Sequence, residues 1–143
     1  FTLIELLVVI AIIGILAGIV LVNVNKTRSK AADTAVKGNL DQVRSTAEML
    51  YDDTSPNSYS TLCDSGSLNA TLTNYSLDRI EDDIVKNDNG GTPTTCYADG
   101  EKYCVSAPLK GSGGADYWCV DNSGFSGKTS GNTCDGTDYD CKP

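Results

Sequence analysis

The sequence predicts an α+β protein: a long amino-terminal helix packed on a small antiparallel sheet of about three strands, with a disulfide-stapled carboxy-terminal loop. Three observations carry this. From Leu6 to Val22, seventeen residues run without a polar or charged side chain. The following thirty residues keep apolar side chains at helical spacing. All six cysteines (Cys63, Cys96, Cys104, Cys119, Cys134 and Cys141) lie later, in a stretch rich in Gly, Ser, Thr, Asn and Asp. The organisation read from these shifts is residues 1–53 as helix, 54–92 as a connecting segment and 93–143 as sheet and carboxy-terminal region. Within the helix, 1–22 forms a membrane anchor and 24–53 an amphipathic half.

The apolar run is about 25 Å long as a helix at 1.5 Å per residue, close to the short limit for crossing a bilayer. Glu5 stands at its edge, where a carboxylate costs several kcal/mol if it enters hydrocarbon. The chain opens on Phe1 rather than Met, which reads as the removal of a preceding segment. In the amphipathic half, Ala32, Val36, Leu40, Val43, Ala47 and Leu50 recur at steps of four and three, placing them on one helix face. Lys26, Arg28, Lys30, Lys37, Asp41, Arg44 and Glu48 fill the other faces. Gly38 is a soft spot, and TSPNS at 54–58 ends the helix.

Beyond that stop, Leu77, Ile80 and Ile84 at helical spacing predict a short helix over about 77–86, before a Gly-Gly break. Strand signals follow in TTCYADGEKYCVSAPLKGSGGADYWCVD, with Asp99-Gly100 as a two-residue turn and Lys110 to Gly114 as a looser one. The predicted strands are about 93–98, 101–108 and 116–121. Centring the second turn on Gly111-Ser112 sets Cys104 opposite Cys119, Tyr103 opposite Val120 and Val105 opposite Trp118. Tyr103, Val105, Ala107, Leu109, Trp118 and Val120 then share the face that lies on the helix. Cys96, opposite Tyr103, can reach Cys63, and Cys134 and Cys141 close the small loop CDGTDYDC. The expected bridges are therefore Cys63–Cys96, Cys104–Cys119 and Cys134–Cys141. Zinc fits poorly: there is no His and no Cys-x-x-Cys pair. Paired cysteines place the region in an oxidising, extracytoplasmic setting and supply the staples a small core needs.

Net charge is −8, and residues 54–143 hold six Lys/Arg against thirteen Asp/Glu. Such a head does not neutralise phosphates, which argues against non-specific nucleic-acid binding, and it reads as a soluble outer surface. With no His, paired cysteines and no placed carboxylate dyad, no acid-base or nucleophilic centre is readable, and no cofactor is expected.

Phe1, Thr2, Leu3, Glu5 and the apolar run through about residue 22 closely resemble the processed amino terminus of type IV pilins and their pseudopilin relatives. The long helix, connecting segment, small sheet and disulfide-tied end agree with a pilin-like fold. The resemblance implies removal of a short leader by a prepilin peptidase and N-methylation of Phe1. It implies a subunit anchored in the inner membrane by residues 1–22, with its head outside the cytoplasm. An assembly ATPase and platform would move such subunits into a helical homopolymer, an extracellular filament with apolar helices at its core. Glu5 then meets the Phe1 amine of a neighbour and pins register.

Many pilins carry a proline near the end of the apolar run, and IVLVNVN has none. Gly14 and Gly18 keep two compatible readings: close helix packing, and local melting between Gly14 and Asn23 in the filament. Asp135, Asp138 and Asp140 fall where major pseudopilins hold calcium, but their spacing is not that of an EF-hand loop, and a solvated acidic turn is the favoured reading. Asn69-Ala-Thr71 and Asn74-Tyr-Ser76 match the N-glycosylation pattern, a weak signal in a bacterial chain. The expected function is that of a major pilin, a structural subunit and not an enzyme. A major pseudopilin of a secretion or DNA-uptake system is the first alternative. A membrane-anchored binding domain that never polymerises is the second.

Overall fold

The computed structural model describes residues 2–88 and 90–141. Its first element, α1, is a single helix over Leu3–Asp53. Thr2 caps it: the Thr2 hydroxyl accepts the Glu5 amide at 3.3 Å, and Glu5 reaches back to the Thr2 amide at 2.7 Å. This reciprocal pairing satisfies donors that every helix start leaves open. The Thr-x-x-Glu signature that produces it is present in the sequence at Thr2 and Glu5.

α1 has two unlike halves. From Leu3 to Leu21 its large apolar side chains are 48–76% exposed. From Ala32 onward one stripe turns inward, and Val36, Leu40, Val43 and Ala47 are fully buried. They pack on one face of a four-stranded antiparallel sheet ordered β3-β4-β5-β6, with strands Thr95–Ala98, Tyr103–Pro108, Asp116–Asp121 and Ser126–Ser130. Tyr103, Val105, Ala107, Leu109 and Val120 supply the facing layer, with Trp118 at its margin. A second helix, α2, spans Leu77–Asn87 and adds Leu77, Ile80 and Ile84 to the same core. A short antiparallel ribbon, β1 (Cys63–Asp64) with β2 (Ser67–Leu68), closes the side of the head.

The register differs from the predicted one by two residues in each hairpin. Val105 pairs with Val120 and Cys104 with Asp121, and Cys96 pairs with Val105. In the first turn, Asp99 is the residue before the corner, and its carboxylate accepts the Glu101 and Lys102 amides, both at 2.7 Å. The two-residue loop is thus Gly100–Glu101 rather than Asp99–Gly100. The second turn begins with a 3₁₀ segment over Lys110–Ser112 and continues through Gly113 and Gly114 at φ 68° and 83°. Glycine adopts that left-handed geometry without strain, so the hairpin turns one residue later than expected. A shift of two keeps every side chain on its own face, which is why the inner face survives the change.

Two expected disulfides do not survive it. Cys104 is bonded to Cys134 and Cys119 to Cys141, not Cys104 to Cys119 and Cys134 to Cys141. With Ser106 now opposite Cys119, the two strand cysteines are out of step and each takes a partner from the carboxy-terminal segment. That segment therefore lies across the outer face of the sheet. The remaining bridge joins Cys63 in β1 to Cys96 in β3. Strand β4 is consequently buried along its whole length, by α1 on one side and the carboxy-terminal segment on the other.

Candidate assembly surface: the amino-terminal helix

The candidate site is an exposed surface. Leu3 to Leu21 carries its apolar side chains outward on all sides, and the helix is long and apolar enough to cross a membrane. The helix is continuous through Gly14, Gly18 and Asn23 in the single chain, and the melting reading concerns the filament. A Cβ built at Gly14 or Gly18 meets nothing within 4 Å. Neither glycine is required by contacts inside the chain, which leaves them as flat places on the outer surface of the helix.

Glu5 is held by Thr2 alone among the described residues. The Thr2 hydroxyl and amide lie 3.0 and 2.7 Å from the same carboxylate oxygen. The expected partner, the Phe1 amine, lies outside the described residues. After the apolar run, Asn23 and Asn25 give their carbonyls to Thr27 and Ser29 hydroxyls at 2.9 and 3.3 Å. Lys26, Arg28 and Lys30 then form an exposed basic collar.

The head is positioned on this helix by polar contacts around the buried stripe. Asp33 accepts the Gly111 amide at 3.0 and 3.2 Å, fixing the second hairpin turn against α1. A Cβ at Gly111 would stand 2.5 Å from that carboxylate, so a larger residue there would push the Asp33 side chain aside. Lys37 lies over the Trp118 ring, 4.8 Å from its centre, and Asp41 accepts the Ser126 hydroxyl at 3.0 Å. These contacts tie β5 and β6 to the helix at its middle.

Two buried acids, neither singled out from the sequence, organise loops rather than chemistry. Asp121 accepts the Ser123 amide, the Ser123 hydroxyl and the Phe125 amide on one oxygen, and the Cys141 amide at 3.0 Å on the other. It thereby locks the β5–β6 turn and the carboxy-terminal segment together. Asp88 does the same after α2, accepting amides of Gly90, Gly91 and Thr92. An Asp followed by Gly, Asn or Ser is the sequence signal for such turns. The open cleft of about 340 Å³ beside α1 is lined by Asp41, Arg44, Glu48 and Asp121, among others. Glu48 there accepts the Tyr59 hydroxyl at 3.1 Å, and burial, then that carboxylate, push the Tyr59 phenol up to about 12.

The acidic carboxy-terminal loop is directed at itself. Asp135 accepts the Thr137 amide and hydroxyl and the Asp138 amide, and those bonds hold its carboxyl below the usual range. Among the described residues no group of three or more acids, cysteines or histidines is placed to hold a metal ion. Of the two glycosylation patterns, Asn69 spends its amide on the Thr61 carbonyl at 2.9 Å and its oxygen on Thr71, whereas Asn74 is exposed in a short 3₁₀ turn.

Residues 1–21 match the family model described as the prokaryotic N-terminal methylation motif. No curated protein and no solved structure matches the chain. The motif implies processing by a prepilin peptidase and handling by assembly machinery, and its family consists of structural pilin-type subunits. An exposed apolar helix with this motif, carrying an α+β head of pilin-like architecture, makes the chain similar at its amino terminus to type IV pilin-like and pseudopilin-like precursors.

Proposed function

We propose that the chain is the major subunit of a type IV pilus, polymerising through α1 into an extracellular filament after release from the inner membrane. The observation that carries this reading is the pairing of a methylation motif with an apolar surface that the subunit leaves wholly uncovered. In water, burying each Leu, Ile or Val of that surface would contribute about 1.5–3 kcal/mol. The helix starts from lipid, however, and lipid tails already cover it, so transfer into a fibre gains mainly packing and fixed polar contacts. That raises the weight of the one acid in the run. Glu5 is satisfied locally by Thr2 while the subunit waits, and it exchanges part of that set for the Phe1 amine of a neighbour on docking. A misregistered neighbour leaves the carboxylate without its cation in a dry core, which is costly. The pair therefore selects register, while Gly14 and Gly18 let neighbouring helices approach.

Three disulfides in a small head support a surface fibre exposed to mechanical load over the shorter filament of a secretion or DNA-uptake system. Glu5→Ala in the full chain is expected to cut the yield of filaments sheared from cells by roughly tenfold or more, since a pair worth ~1.4 kcal/mol is a factor of ten. The head should keep its bridges and its normal amount in the membrane. Filaments formed at the usual rate and copy number would sink the role given to Glu5. Their absence from cells producing the unaltered chain would sink the polymer reading itself.

A further inference from the structure

The two ends of the amphipathic half of α1 carry opposite, unmet charges. Lys26, Arg28 and Lys30 are exposed, and among the described residues none has an ionic partner. At the other end, α1 finishes on Asp52 and Asp53 with no basic residue in its last turn. Acids there face the negative end of the helix dipole, an arrangement that works against the helix. Three acids of the head do hold a cation: Asp82 and Asp83 share Lys86, and Asp116 holds Lys128 at 2.7 Å. Asp53 accepts one hydroxyl, from Tyr75 at 2.7 Å, and among the described residues no cation pairs with it. A local rule broken without internal compensation is a common mark of a contact made elsewhere.

We propose that the Lys26–Arg28–Lys30 collar of one subunit docks on the Asp52–Asp53 end of α1 in another copy, an inference that rests on the polymer reading. The collar and the acids are about 36 Å apart along one helix at 1.5 Å per residue, so they cannot meet within a chain. Two different patches that complement each other form a head-to-tail contact, which repeats into an open polymer rather than closing as a dimer. The contact also fixes an expectation for the fibre: with α1 parallel to its axis, the touching copies are offset axially by about 36 Å. Anionic lipid headgroups could take the collar before assembly, but they leave the acids at the far end uncompensated, and a second copy answers both ends at once.

Zero-length carbodiimide coupling of sheared filaments tests this without altering the chain. Amide links from Lys26 or Lys30 to Asp52 or Asp53 are expected in filaments and at least tenfold fewer in detergent-dispersed subunits. Collar lysines linked only to other acids, or not linked at all in intact filaments, overturn the contact. So does an equal yield from dispersed subunits. In cells, Asp52→Lys with Asp53→Lys should lower filament yield severalfold. Adding Lys26→Glu, Arg28→Glu and Lys30→Glu should restore it, with subunit amount and bridges checked in the membrane. No restoration overturns the proposal, and so does a loss on reversing the collar with none on reversing the acids, which would assign the collar to lipid. Cells that make no filaments from the unaltered chain remove the polymer reading and this contact together.

Discussion

Two stretches of the same helix meet opposite fates. Residues 3–21 hold the greasiest part of the chain and bury none of it, while residues 32–50 hold fewer apolar side chains and bury most of them. The first stretch has no tertiary partner among the described residues. The second is the spine of a head fastened by three disulfides and by the buried carboxylates of Asp88 and Asp121. Apolar content alone therefore does not make a core. What makes one is periodicity, a stripe at steps of three and four that a sheet can cover. An all-round apolar helix offers no face on which a small head could close.

The sharpest way to break that comparison is the same substitution in both stretches. Leu40→Ala removes a fully buried side chain from the helix–sheet interface, and truncations of this kind cost about 2–5 kcal/mol. Leu16 is 57% exposed, so Leu16→Ala should leave head stability within about 0.5 kcal/mol. Thermal unfolding of the full chain in detergent, followed by near-ultraviolet dichroism of Trp118 and the buried tyrosines, measures both. Equal losses would mean that the two halves of α1 unfold as one unit with the head.

The contrast also explains what could be read from sequence. Ala32, Val36, Leu40, Val43, Ala47 and Leu50 follow helical periodicity, and they are the apolar residues that α1 buries. Leu77, Ile80 and Ile84 are the buried face of α2 for the same reason. Strand β6 was hidden because SGKTS carries no apolar residue; it exists through its backbone pairing with β5. The β1–β2 ribbon is too short to show a pattern. The disulfide partners failed at the turns. One carboxylate, Asp99, and two left-handed glycines moved each hairpin by one corner residue, and that was enough to exchange the partners of Cys104 and Cys119. At the candidate surface, the apolar run, Glu5 and the Thr2-x-x-Glu5 pattern stand in the sequence, whereas the locking role of Asp121 depends on geometry.

A smaller effect separates a buried acid from an exposed one. Asp121→Asn keeps an oxygen for the Ser123 and Phe125 amides but turns an amide group toward the Cys141 amide, setting donor against donor. Losing that bond in a buried place costs about 1–3 kcal/mol. The same unfolding measurement should register it, with faster hydrogen exchange at the Cys141 amide and an unchanged far-ultraviolet helix signal. An unaltered exchange rate at Cys141 would show that the two bridges hold the segment without Asp121.

The smallest effect belongs to Asp135, which repeats the Asp121 arrangement at the surface. Its hydrogen bonds to Thr137, then to the Asp138 amide, favour the charged form and lower its pKa from the ordinary 3.8. A group lowered in the folded state gives its stabilisation above the unfolded value and loses it as pH falls through the folded one. The loop over residues 135–138 should therefore stay ordered at pH 5 and loosen only below pH 3.8. Amide shifts of Thr137 and Asp138 followed through an acid titration read this directly. The Cys104–Cys134 and Cys119–Cys141 bridges bracket the loop, so its loosening should leave the sheet untouched. Sheet amides shifting together with Thr137 would mean that the surface acid shares the structural work of the buried one, and the division between a locked interior and a locally stabilised rim would fall.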